Sequence, residues 1–306
     1  MDPQTLAAGI KKGQRRAIAR ALTLVESSRP DHQTLSIRLF EELGPSTRAF
    51  RLGVTGPPGA GKSTLIEKIV LHWTEQGQKV AVLAVDPTSQ RTGGSLLGDK
   101  TRMGRIAQHP DVFIRPSPTG THLGGLGRRT PLMCALLERA GFHRIVVETV
   151  GVGQSEISAS HLVNCLLLVA LPGAGDEVQG LKRGLMEEVD LVAVNKADLG
   201  GARACVATLR SALRVFRREV PVVAVSAQTG EGVEALYEAL EETAERPAAL
   251  AESHFLQQFL IEELVREFAQ HSQGWKQLQD EVTNGQIDLL QALPQLHRLV
   301  DEFRGA

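Results

Sequence analysis

The sequence predicts an α/β protein: a mainly parallel sheet flanked by helices, with an N-terminal helical extension and a C-terminal helical arm. Three observations predict it. Seven short apolar runs recur between Phe50 and Ser226, with helix-spaced stretches between them. Several runs are continuous rather than alternating, as expected of strands covered on both faces. The first run leads directly into a glycine-rich turn and then a helix-patterned segment, Leu65 to Val70.

Taken in order, residues 1–46 read as a helical extension packed on the sheet domain. From Thr5 to Glu26 one helix is expected, with Leu6, Ile10, Ile18, Leu22, Leu24 and Val25 as its apolar stripe. Lys11, Lys12, Arg15, Arg16 and Arg20 then form a basic face, expected to be solvated, with binding of an acidic partner as the competing explanation. A second helix runs from His32 to Glu42 and stops at Gly44-Pro45. Residues 47–247 hold the sheet, with strands expected at Phe50 to Thr55, Val80 to Val85, Val112 to Arg115, Arg144 to Glu148, Asn164 to Ala170, Leu191 to Asn195 and Val222 to Ser226. Residues 248–306 form the arm. It carries apolar helical spacing over His254 to Gln270, which Gly274 breaks, and again over Ile287 to Phe303. Two such stripes beyond a finished sheet need a surface to cover: a second copy, making this a dimerisation arm, or the rest of the chain.

Composition narrows the class. With 306 residues, 42% hydrophobic and 23% charged, the chain reads as an ordinary globular α/β protein with room for a sizeable core. A formal charge of −1 gives no reason to expect nucleic acid or an anionic membrane as partner, and 4% aromatic residues argue against base-stacking platforms. Cys134, Cys165 and Cys205 are far apart, without CxxC spacing, so neither a disulfide framework nor a cysteine zinc site is expected. No apolar stretch is long enough to span a bilayer and the N-terminus lacks the apolar core of a secretory signal, so the expected location is the cytoplasm.

The chemistry centres on Gly56-Pro57-Pro58-Gly59-Ala60-Gly61-Lys62-Ser63-Thr64, a full match to the phosphate-binding loop of P-loop NTPases in its strand-to-helix context. Glycines let the backbone approach phosphates, loop and helix N–H groups point at their oxygens, Lys62 reaches the outer phosphates, and the Ser63 hydroxyl can ligate magnesium. Ligands of such sheets sit beyond the carboxyl ends of the strands. Two acids end strands there. Asp86 precedes Pro87-Thr88-Ser89, and Glu148 precedes Thr149-Val150-Gly151-Val152-Gly153-Gln154-Ser155-Glu156. A lone carboxylate is costly to bury but natural beside a hydrated magnesium ion; an ordinary strand-end cap is the competing explanation. The glycine-rich stretch from Arg91 to Met103 is either a nucleotide-responsive loop or a plain connector.

Asn195-Lys196-Ala197-Asp198, after a strand, selects the base. A carboxylate at Asp198 can accept from both guanine N1–H and the 2-amino group, whereas adenine offers an acceptor and no 2-amino group. Ser226-Ala227-Gln228, after a later strand, supplies the usual second guanine contact of GTPases.

Taken together, these motifs resemble the MeaB/ArgK family of GTPases, which act on adenosylcobalamin-dependent acyl-CoA mutases and include the human methylmalonic aciduria type A protein. The resemblance runs along nearly the whole chain. It is carried by GPPGAGKST from Gly56, AVDPTS from Ala84, GGSLLGDKTRM from Gly93, RPSP from Arg115, ETVGVGQSE from Glu148, LPGAGDEVQGLKRG from Leu171 and NKAD from Asn195. It implies GTP and GDP as ligands, with Asp86, Asp99 and Glu148 joining Ser63 around magnesium. It implies a first switch at residues 92–108 and a second after Glu148, including Gln154 and Glu156. A third switch would carry Asp176, Glu177, Gln179 and Lys182 and relay nucleotide state to the mutase. Gln228 stands where a leucine is usual. No glutamine directly follows Gly151, so the water-positioning group of Ras-like enzymes has no counterpart there. The implied function is a homodimeric GTPase that gates cofactor loading, protection or reactivation of methylmalonyl-CoA mutase or a related mutase. A protein kinase-like phosphotransferase associated with amino-acid transport is the alternative. A nickel-inserting GTPase would need a Cys/His cluster that neither the three cysteines nor the nine histidines form.

Overall fold

The computed structural model describes residues 2–27, 29–45, 48–86, 103–118, 129–149, 160–173, 183–216, 219–244, 261, 264–265, 267–269, 272–284 and 286–305. It divides into two compact units, Met1–Ala251 and Glu252–Ala306.

The first unit is built on a seven-stranded sheet: β1 (Phe50–Thr55), β2 (Val80–Asp86), β3 (Val112–Pro118), β4 (Arg144–Glu148), β5 (Cys165–Ala170), β6 (Leu191–Val194) and β7 (Val222–Ala224). Their order is β3-β2-β4-β1-β5-β6-β7, and every pairing is parallel. Alternate residues supply the two cores. Ile145, Val147, Leu166, Leu168, Val192 and Val194 face one side; Leu52, Val54, Val146, Leu167, Leu191 and Ala193 face the other. Because both faces are covered, β4, β5 and β6 are uninterrupted apolar runs over most of their length, whereas β1 carries Arg51 within it.

Helices α1 (Pro3–Lys11), α2 (Arg15–Glu26) and α3 (Pro30–Leu43) share the first core with the sheet through Leu6, Ile10, Ile18, Leu22, Val25 and Leu39. The single helix expected over Thr5 to Glu26 is therefore two. Asp2 caps α1 by accepting from Gln4 N and Thr5 N, and the chain turns at Gly13, whose φ is +69°. The basic face is not wholly solvated either: Arg15 donates to the carbonyls of His109 and Pro110 and lies over the Phe113 ring. Helix α4 (Lys62–Glu75) packs on the opposite face, with the short α5 (Gly104–Ala107) beside it. Next come α6 (Thr130–Arg139), α7 (Arg183–Glu188), α8 (Ala202–Val215) and α9 (Val233–Ala244). Helix α8 lies against the first core and α9 against the second, so the two cover opposite faces of the β6–β7 end.

Below the sheet Arg51 and Glu138 form a buried ion pair of 2.8 Å. Glu138 Oε1 also accepts from Ala49 N. On the other face Glu241 accepts from Trp73 Nε1 and Arg144 Nη2, tying α4 to α9.

In the second unit α10 (Gln273–Thr283) and α11 (Leu289–Gly305) pack on each other, and Phe268 contacts the rings of Trp275 and Phe303. Gly274 lies inside the first turn of α10 rather than ending a helix. A Cβ there would lie 2.5 Å from Leu299 Cδ2, so glycine permits the close approach of the two helices. Among the described residues no helix is long and apolar enough to cross a membrane.

Candidate functional site

Strand β1 ends at Thr55 and the chain turns through Gly56 to Gly61 into α4, which begins at Lys62. Two glycines are dictated by space. Gly56 has φ +140° and a Cβ would lie 2.2 Å from the Val169 carbonyl oxygen. Gly61 has φ +86° and a Cβ would lie 2.4 Å from Asn195 Nδ2. Pro58 and Gly59 are exposed, Ala60 is buried, and Thr64 faces solvent. Lys62 Nζ donates to the carbonyls of Gly56 at 2.7 Å and Pro57 at 3.2 Å, so its ammonium arches over the loop. The opening N–H groups of α4 have no partner within the helix and point out of its positive end. An anion of phosphate size fits that chemistry.

The strand order puts β4 between β1 and β2, so the two strands that end in an acid finish on the same edge as the loop. Glu148 is in register with Val54 on one side and Ala84 on the other. Ser63 Oγ donates to Glu148 Oε1 at 3.0 Å. A hydroxyl and a carboxylate so close are both hard oxygen donors, which is the donor set a magnesium ion prefers. Asp86 ends β2 on that carboxyl edge, opposite Pro118 of β3. Asp99 and the switch residues Gln154, Glu156, Asp176, Glu177, Gln179 and Lys182 lie outside the described residues. Among the described residues no group of three or more His, Cys, Asp or Glu side chains is placed to hold a metal.

The base-reading segments converge from the other direction. Asn195 follows β6 and is 2% exposed; its Nδ2 donates to Ala60 O at 2.7 Å and its Oδ1 accepts from Ala227 N at 3.0 Å. One amide thus joins the phosphate loop to both base-reading turns. The sequence places Asn195 only beside the base. The one signal for its second task is Gly61, whose missing side chain leaves room for that amide. Lys196 has φ +57°, the sole non-glycine residue with a positive φ among those described, and it turns the chain into a 3₁₀ turn, Ala197–Leu199. Ala197 N donates to Val225 O, holding the two turns together. Asp198 is exposed at the edge of the site, Ser226 and Ala227 are buried, and Gln228 is exposed. The Ser226 hydroxyl accepts from Thr229 N, which closes the turn that carries Ala227.

A parallel sheet with a phosphate loop after its central strand, an acid on the adjacent strand and an Asn-Lys-x-Asp turn after β6 defines a P-loop GTPase, an enzyme that hydrolyses GTP. The family model described as methylmalonyl Co-A mutase-associated GTPase MeaB matches residues 18–283, and the chain belongs to the MeaB family. GTPase ArgK of Escherichia coli is 43% identical over 299 residues, covering 93% of this chain and 87% of its own. The mitochondrial methylmalonic aciduria type A homolog of Mus musculus is 42% identical over 253 residues, covering 76% of this chain and 61% of its own. Among solved structures, one described as LAO/AO transport system kinase superposes with a TM-score of 0.71 at 29% identity, covering 98% of this chain and 97% of its own. The α/β fold and the family resemblance read from the motifs are both borne out.

Proposed function

We propose that this GTPase gates the loading, protection or reactivation of adenosylcobalamin on an acyl-CoA mutase, methylmalonyl-CoA mutase or a related one, in the cytoplasm. The observation that carries the reading is the family itself, whose description names association with methylmalonyl-CoA mutase. The similarity to the methylmalonic aciduria type A homolog supports it.

In this reading the loop Gly56 to Thr64 binds the phosphate chain through the N–H groups of its residues other than Pro57 and Pro58, and Lys62 neutralises its outer oxygens. Asp198 pairs with the Watson–Crick edge of guanine, beside the turn Ser226-Ala227-Gln228. Asn195 keeps the two halves of the site at fixed separation, so the terminal phosphate is presented in one position to attacking water. Ser63 and Glu148, with Asp86 and Asp99, would hold magnesium, which when bound offsets the charge that builds on the phosphate oxygens. Gln154, Glu156, Asp176, Glu177, Gln179 and Lys182 would carry nucleotide state to the mutase. The C-terminal arm would pair two copies of the chain. No glutamine directly follows Gly151 to orient water, so unassisted turnover would be slow and partner-dependent.

The test is GTP turnover by the purified full chain, alone and with methylmalonyl-, isobutyryl- or 2-hydroxyisobutyryl-CoA mutase. The reading expects at least about tenfold stimulation by one of them, equivalent to roughly 1.4 kcal/mol of barrier. Turnover unchanged by all three contradicts it. The solved relative is described as a kinase. If that activity were shared, the label from γ-labelled nucleotide would be recovered on protein rather than as free phosphate.

A further inference from the structure

Among the described residues strand β7 is the last of the sheet, and its outer edge opens into a cavity of about 440 Å³ lined by Arg203, Val206, Ala207 and Arg210 of α8, Val222 to Ala224, and Ala235 of α9. The backbone of this edge is polarised. Val192 N donates to Pro221 O and Val225 N donates to Val194 O, so Pro221, Val223 and Val225 face β6 while Val222 and Ala224 face outward. Both outward carbonyls are covered. Arg210 Nη2 donates to Val222 O at 3.0 Å, and Gly232 crowds Ala224 O so closely that a Cβ there would lie 2.1 Å from it. What the edge presents is therefore the N–H groups of Val222 and Ala224, two residues apart, between apolar walls.

Charge differs on the two sides of this opening. Arg203, Arg210 and Arg214 recur at spacings of seven and four on α8, so they form one exposed stripe. On α9, Glu238 and Glu242 share the face of Ala235. An extended segment lying along β7 would send alternate side chains toward α8 and α9.

We infer that the open edge of β7 docks an extended segment of a partner protein in which acidic residues alternate with small or basic ones. Its carbonyls accept from Val222 N and Ala224 N, its acids face the arginine stripe, and the intervening residues face α9. Such a segment also competes for Arg210, exchanging the contact with Val222 O for a carboxylate. A second copy of this chain fits less well. Antiparallel pairing of two β7 edges about a two-fold perpendicular to the sheet would set α8 beside α8, arginine stripe against arginine stripe.

The experiment uses the full chain and two fluorescein-labelled synthetic peptides, one alternating aspartate with threonine and one alternating lysine with threonine, read by fluorescence polarisation. The aspartate peptide is expected to bind saturably and the lysine peptide not. The double variant Arg203→Glu/Arg210→Glu should weaken the aspartate peptide at least about tenfold. Ala224→Pro removes one outward donor while leaving the ladder to β6 intact, and should weaken it about fivefold. Unchanged GDP binding by both variants shows that they fold. Equal binding of the two peptides, binding unaffected by the substitutions, or self-association of the wild type that the double variant abolishes without any peptide binding would each overturn the assignment.

Discussion

The Ser63 hydroxyl and the Glu148 carboxylate meet at 3.0 Å, although they come from α4 and β4 and are 85 residues apart in sequence. The contact exists because β4 is the direct neighbour of β1, so the strand that launches the phosphate loop and the strand that ends in the acid finish side by side. Glu148→Gln keeps an oxygen that can accept from Ser63 but removes the charge. If the pair holds a magnesium ion, GTP turnover should fall about a hundredfold and recover in part at high magnesium, while the urea midpoint stays close to wild type. A loss of turnover that tracks a loss of stability would assign Glu148 a structural role only.

Asn195 offers a second handle. Asn195→Ala strands Ala60 O and Ala227 N inside the protein and should cost about 3 kcal/mol in urea unfolding. Gly61→Ala drives a methyl into the same amide and strains a left-handed residue, so it should lower GDP affinity more than tenfold by isothermal calorimetry. If Gly61→Ala binds GDP normally, the contact between Asn195 and the loop is dispensable.

The pair Arg51 and Glu138 tests how the sheet is anchored far from the nucleotide. With side chains only 10% and 5% exposed, neither charge tolerates losing the other. Glu138→Ala should cost about 3–5 kcal/mol, whereas Arg51→Met/Glu138→Leu should recover most of that loss. Comparable destabilisation in the single and double variants would show that the hydrogen bonds to Ala49 and Leu162, rather than the charges, carry the effect.

Burial pushes the Cys134 thiol up to about 12 from its ordinary 9.0, so it stays protonated in the folded protein. The unfolded chain gives up that proton near 9.0. The stabilising contribution is therefore complete below about pH 9 and is lost as pH rises toward about 12. Tyr237, also pushed up to about 12 by burial, acts in the same direction. Urea midpoints should decline between about pH 9 and 11, less steeply in Cys134→Ala, and iodoacetamide at about pH 8 should leave Cys134 unmodified until denaturant is added. Native alkylation of Cys134 would contradict the burial.

Much of this architecture is legible in the sequence, and the failures have physical causes. The strands emerge within a few residues because strands buried on both faces leave an uninterrupted apolar record. The apolar stripe from Leu6 to Val25 conceals the break at Gly13, since two helices packing on one surface keep a continuous stripe. Helix α10 is hidden because a glycine at position 274 reads as a breaker, when its absent side chain serves the approach of Leu299. The phosphate loop and the base-reading quartet stand out because backbone geometry and hydrogen-bond pattern restrict those residue types. The strut from Asn195 to Ala60 does not, because it joins residues 135 apart and depends on the sheet order, with the glycine at position 61 as its one trace in the sequence.

Equilibrium binding of fluorescent GDP and ADP to the purified full chain tests the guanine site most directly, with Asp198→Asn alongside. The site built from Gly56 to Thr64, Asn195 to Asp198 and Ser226 to Gln228 predicts about a hundredfold preference for GDP, with most of it lost in Asp198→Asn. Equal affinity of the wild type for GDP and ADP would contradict it.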